Sequence, residues 1–126
     1  MVEIPTSRTT RICLVRHGET EWNAERRIQG QIDIGLNETG RRQAAAAGRW
    51  LRTAGIVALY SSDLKRAWVT AQTIGEALAL VPEAVPQMRE RRYGIFEGLT
   101  YAEAQARHPD GYAAFEGRNA AYDFEN

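Results

Sequence analysis

Apolar positions fall in two kinds of run along the chain: short unbroken blocks and longer stretches with helical spacing. Ile12 to Val15 form a continuous apolar block after a polar arm. That pattern suits a strand buried on both faces of a parallel sheet, and it ends at Arg16-His17-Gly18. Asn37 is a good N-cap for a helix through RRQAAAAGRWLRT, in which Ala44, Ala47, Leu51 and Ala54 recur at helical spacing and Gly55 is placed as a C-terminal cap. Ile56 to Tyr60 read as a second buried strand. Ser61-Ser62-Asp63 offer capping groups for a further helix from about Leu64 to Leu80.

Pro82 and Pro86 flank a weaker third strand around Ala84 to Met88, which the prolines push toward a sheet edge. Gly94 and Gly98 mark a loop. Thr100 with Glu103 resembles a capping box, and its helix should stop before Pro109. From there to Asn126 the chain is aromatic and polar without clear periodicity. The order strand, helix, strand, helix predicts an α/β fold with a mostly parallel sheet, and residues 1–126 read as a single domain.

Right-handed crossovers keep such strands parallel, so their carboxyl ends line one edge of the sheet, where open α/β sheets bind ligands. Arg16 and His17 follow the first strand, Arg66 falls in the first turn of the helix after the second, and Glu90 follows the third. Four ionisable groups from three segments are thus aimed at one edge. An arginine fork matches two phosphate oxygens at once, which makes phosphate the natural guest. A neutral imidazole between arginines has its pKa pressed downward and keeps a lone pair free to attack phosphorus, while a carboxylic acid such as Glu90 can protonate a departing alkoxide. Gly18 would let the backbone approach the anion.

Composition narrows the partners. Sixteen basic and sixteen acidic residues cancel, so no large field points to a nucleic acid or a membrane surface. No apolar stretch approaches the roughly 20 residues needed to span a bilayer, and the opening residues are polar and broken by Pro5. One cysteine, Cys13, cannot form an internal disulfide and reads as a small buried hydrophobe. A cytoplasmic setting is the resulting expectation. Nothing has metal-ligand spacing, and no cofactor is expected. Trp22 is placed to shape a pocket mouth, whereas Trp50 and Trp68 fall within helices as core or helix-contact residues. The RERRY cluster reads as a solvated charged face.

The segments LVRHGETEWNAERRIQGQIDIGLNETGRRQA at Leu14 to Ala44, YSSDLKRAWVTAQTI at Tyr60 to Ile74 and RERRYGIFEGLTYAEAQ at Arg89 to Gln105 resemble the three opening signatures of the histidine phosphatase superfamily, also called phosphoglycerate mutase-like. The resemblance implies a three-layer α/β/α sandwich. It also implies a transiently phosphorylated His17, phosphate ligands Arg16 and Arg66, a proton donor in Glu90, and pocket positions at Asn23, Gln29 and Gly30, with Tyr93 beside them. It implies no cofactor.

Mutases of that family typically have a small hydroxyl residue where this chain has Gln29, a lysine where it has Tyr101 and an arginine pair near its single Arg118. The Gln-Gly pair and FEGLTYAEA resemble instead the broad-specificity and α-ribazole phosphatase branch. Hydrolysis of a phosphorylated small molecule through phosphohistidine is the first reading, with a mutase (isomerase) reading and a non-catalytic, pseudophosphatase reading kept open.

Family members continue to another strand bearing a second catalytic histidine, usually in a His-Gly pair. The other histidine here, His108 before Pro109, is placed for a surface or capping role. The sequence therefore reads as the amino-terminal portion of the family's domain, and full activity is not expected from these residues alone. An exposed sheet edge favours association, as a homodimer by strand exchange or with a separate carboxyl-terminal piece.

Overall fold

The structure, a computed structural model, describes residues 9–124. Two helices form its larger layer. The first long helix, α2 (Glu38–Leu51), begins where the Asn37 side chain accepts the Gly40 N–H, as the sequence predicts. It buries Gly40, Ala44, Gly48 and Leu51, one face at helical spacing. Ala54 lies beyond the helix and is exposed, and Gly55 takes a positive φ of 70° in the turn that follows. Helix α3 (Lys65–Leu78) packs against α2, with the Gly48 backbone close to Ala77 and Ile74.

The sheet is smaller than the pattern predicts. Strand β1 is Tyr60–Ser61 and β2 is Glu83–Ala84, paired in parallel with Tyr60 opposite Glu83. A 3-10 turn at Pro86–Met88 takes over where the third strand was expected to continue. Proline lacks the N–H that a ladder needs, so the change falls where Pro86 stands.

The apolar block at residues 12–15 joins no ladder among the described residues, and Ile12 and Leu14 are 81% and 88% exposed. This corrects the expectation of a strand buried on both faces. Cys13 is likewise exposed rather than buried. Unbroken apolar sequence dictates that a segment be covered, but the cover must come from outside the segment. No described element supplies it here. Trp50, at 77% exposure, is also not a core residue, whereas Trp68 is half-buried on α3.

A second packing centre gathers Ile28, Phe96, Ala104 and Phe124, with Tyr93, Leu99, Tyr112, Phe115 and Tyr122 against it. Three elements frame it. A 3-10 turn spans Gly94–Phe96, α4 spans Tyr101–Arg107 and α5 spans Pro109–Glu116. Thr100 and Glu103 form the expected reciprocal capping box, and α4 ends before Pro109. Helix α5 was not legible as periodicity: its buried residue is Gly111, set against Phe96 and Tyr122. A short helix α1 (Glu21–Ala24) carries a second capping box, made by Thr20 and Asn23.

Two arginines of the charged run tie it to neighbouring segments. Arg89 forms a two-pronged pair with Asp63, at 2.6 and 2.5 Å. Arg91 donates to the carbonyls of Asn119 (2.7 Å) and Tyr122 and lies over the Phe124 ring at 4.7 Å. The segment after α5 is thereby held to the aromatic cluster, while Arg89, Glu90 and Arg92 are exposed, so the run is a solvated face in which Arg91 turns toward the protein.

Candidate functional site

Chain turns, not a wide sheet, bring the charged groups together. One cavity is lined by Arg16, His17, Arg66 and Glu90, and by Asn23, Gln29, Gly30 and Tyr93. All the candidate residues except Gly18 therefore share a single concave surface. Gly18 lines a smaller cavity on the α2 side, together with Arg16, His17 and Thr70.

Gly18 has a packing reason of its own. A Cβ there would lie 2.3 Å from the Gly40 carbonyl oxygen, and one on Gly40 would lie 2.1 Å from the Glu19 carbonyl oxygen. Residues 18–19 and the first turn of α2 thus meet backbone to backbone, which only glycine permits. Close approach to α2, rather than to an anion, is what Gly18 provides.

The His17 ring is half-buried, and its Nδ1 lies 2.7 Å from the Gly18 carbonyl oxygen. A carbonyl can only accept, so Nδ1 carries the proton and the lone pair of the neutral ring sits on Nε2. Burial holds the His17 pKa below its ordinary value. The Gly18 hydrogen bond opposes that shift, while the charges of Arg66 and Arg16 reinforce it and that of Glu90 opposes it. Neutral imidazole with a free Nε2 is therefore the favoured form.

Arg66 is buried to 3% exposure. Its Nη2 donates to the Gly30 carbonyl at 2.6 Å and its Nη1 to the Ile32 carbonyl at 3.0 Å, so the loop after Gln29 fixes the guanidinium plane. Among the described residues no carboxylate lies within ion-pair distance of it. Burial opposes the charge on Arg66, while Glu90 first, then Asp33 and Glu97, favour it from beyond ion-pair distance, and its remaining N–H groups can serve an anion in the adjoining space.

Asn23 and Gln29 turn their amide oxygens toward protein. Asn23 Oδ1 accepts the Thr20 N–H at 3.0 Å, and Gln29 Oε1 accepts the Thr20 hydroxyl at 2.6 Å. Burial comes first in pushing the Tyr93 phenol up from its ordinary value, and Glu90 adds to it, so the group stays a neutral donor. Glu90 Oε1 accepts the Arg91 N–H at 2.7 Å.

Several contributors escaped the sequence reading. Helix α3 begins at Leu64 without a side-chain cap from Ser61, Ser62 or Asp63; Asp33 instead accepts the Lys65 N–H at 2.7 Å, from 32 residues earlier. Ser62, Tyr101 and Phe115 also line the cavity. Trp22 stands against Gly98, away from that lining. His108 falls between α4 and α5 with its ring stacked on Phe96 at 5.7 Å and outside the cavity. Among the described residues no cluster of three or more His, Cys, Asp or Glu could hold a metal ion, and no helix is long and apolar enough to cross a membrane.

A half-buried histidine, a buried arginine and a carboxylate thus line one cavity on an α/β scaffold. Residues 12–126 match the family model of the histidine phosphatase superfamily (branch 1), and the chain belongs to that superfamily. It is 49% identical over 112 residues to a metal-independent phosphoserine phosphatase of Arabidopsis thaliana, covering 86% of this chain and 47% of that protein. It is 45% identical over 114 residues to phosphoglycerate mutase-like protein 4 of the same plant, covering 89% and 50%. Among solved structures, a mycobacterial glucosyl-3-phosphoglycerate phosphatase in complex with VO3 superposes with a TM-score of 0.75 at 40% identity, over 79% of this chain and 47% of the other. The α/β fold of the phosphoglycerate mutase-like type is thus shared, while the chain spans about half the length of the relatives it matches.

Proposed function

We propose that the protein is a phosphatase that cleaves phosphomonoesters of small metabolites through a phosphohistidine at residue 17. The observation that carries this is the buried Arg66 guanidinium, fixed by two carbonyls and opening on the cavity that His17 and Glu90 share. The Nε2 lone pair of His17 attacks phosphorus, and the bond from phosphorus to the ester oxygen breaks. That oxygen leaves with the electron pair and takes a proton from the Glu90 carboxyl. Arg16 and Arg66 hold the phosphoryl oxygens as charge builds on them, and the amides of Asn23 and Gln29 add donors. Water then attacks the phosphohistidine, gives its proton to Glu90, and phosphate departs as the bond to Nε2 breaks.

Relatives named phosphatases support hydrolysis over group transfer between two positions of one substrate. Tyr101 also stands in the cavity at the position where mutases of the family typically carry a lysine. A cytoplasmic single domain that pairs with a second copy through its exposed apolar block, and that takes no nucleic acid, belongs to the same reading. Incubation with a generic aryl phosphate and rapid quenching tests it. Acid-labile, alkali-stable phosphate on His17, absent from His17→Ala, is expected, and label that survives the substitution overturns the assigned nucleophile.

A further inference from the structure

Glu97 is outside the cavity lining, yet its carboxylate joins the two segments that form the cavity's rim. Glu97 Oε1 accepts the Gln31 N–H at 3.0 Å and the Tyr93 N–H at 3.0 Å. The Gln31 side chain completes the tie by donating from Nε2 to the Glu90 carbonyl at 3.0 Å. Gly30 makes room for this arrangement. A Cβ at that position would lie 2.1 Å from Glu97 Oε1, and the residue adopts a φ of +53°. The Gly30 carbonyl in turn accepts from Arg66 at 2.6 Å.

We propose that Glu97 is a positioning residue: through its paired hydrogen bonds to Gln31 and Tyr93 it sets where Glu90 stands relative to the phosphoryl group held by Arg66. The inference rests on the phosphatase reading above, because it assigns Glu97 a role in protonating the leaving group. A carboxylate accepting two backbone N–H groups is a strong, short-range tether. It also explains the glycine after Gln29, since any side chain there would displace the carboxylate and loosen both segments.

Protonation matters far more for an alkoxide leaving group than for an activated aryl oxide, so a misplaced acid shows itself as a change in substrate preference. The rate of His17 phosphorylation is measured in single turnovers with p-nitrophenyl phosphate and with an alkyl phosphate, in the full chain and in Glu97→Ala, Glu97→Gln and Gln31→Ala. Glu97→Ala is expected to slow the alkyl reaction about tenfold more than the aryl reaction, within the range general-acid catalysis contributes. Glu97→Gln, whose amide oxygen can accept the same two N–H groups, is expected to restore most of the alkyl rate. Gln31→Ala, which removes the tie to the Glu90 carbonyl, is expected to shift preference in the same direction.

Amide hydrogen exchange at Gln31 and Tyr93 provides a readout that does not depend on turnover, and faster exchange at both is expected in Glu97→Ala. Equal losses on the two substrates, or unchanged exchange at the two amides, would overturn the positioning role while leaving the nucleophile intact. Absence of His17 labelling in the unsubstituted chain would instead sink the phosphatase reading itself.

Discussion

Gly18 donates its backbone N–H to the Thr70 hydroxyl at 3.0 Å, across 52 residues of sequence. Thr70 in turn donates to the Arg66 carbonyl one turn earlier on α3, at 2.7 Å. The peptide that follows the nucleophile is thus tied to the helix that presents the phosphate ligand, and the Gly18 carbonyl in that same residue fixes the His17 tautomer. One buried hydroxyl couples the two halves of the site.

Thr70→Val keeps the volume but leaves the Gly18 N–H without its acceptor. A loss of about 1–3 kcal/mol in urea unfolding is expected, the cost of an unsatisfied buried donor. His17 phosphorylation should slow in parallel, whereas Thr70→Ser should retain both.

The glycine contact between residue 18 and α2 makes a sharper stability prediction. Gly18→Ala and Gly40→Ala each place a carbon against backbone that cannot swing aside, and a loss of at least about 1–3 kcal/mol is expected from overpacking. Gly35→Ala serves as control, since no atom lies within 4 Å of its added carbon, and its unfolding midpoint should barely move.

Helix α3 should depend on Asp33 more than on its own leading residues. Asp33→Ala removes the acceptor for the Lys65 N–H and is expected to cost about 1 kcal/mol, with Asp33→Asn close to the parent in thermal unfolding. Asp63→Ala breaks only the exposed pair with Arg89, whose contribution should be small and fade as salt is added.

His17 sets a pH dependence of determinate sign. Burial lowers its pKa in the folded chain, so the unfolded chain binds the proton more readily below the ordinary value of 6.5. Stability from this group is fully present above 6.5 and is lost as pH falls through the lower, folded value. The phosphorylation rate should rise with pH through that same folded value, as Nε2 becomes free. In an NMR titration Arg16→Gln should move the His17 midpoint upward but leave it below 6.5, because burial outweighs the arginine charge.

Local signals were legible where a residue acts on its own neighbourhood. The Asn37 cap, the Thr100–Glu103 box and the stop before Pro109 depend on side chains within a turn or two and were found as expected; of the apolar face read for α2, Ala44 and Leu51 are buried, while Ala54 lies beyond the helix. The convergence of Arg16, His17, Arg66 and Glu90 was legible because chain order places each after a strand-like block. What failed were inferences about what covers what. Residues 12–15 and Trp50 are apolar yet exposed, since burial depends on a partner surface that no local pattern encodes. The Asp33 cap and the Glu97 tether join residues 32 and 66 positions apart, and a lone carboxylate in sequence gives no sign of the amide it will meet. Glycines 94 and 98 around Glu97 marked a loop but not its cargo.

Everything rests on covalent bonding between phosphorus and the Nε2 atom of His17. Mass spectrometry of the rapidly quenched protein after exposure to an aryl phosphate addresses that bond directly. One phosphoryl group on His17 is expected, lost in acid, retained in alkali and absent from His17→Ala. Phosphate on a serine or threonine, or aryl phosphate cleavage undiminished in His17→Ala, would contradict it.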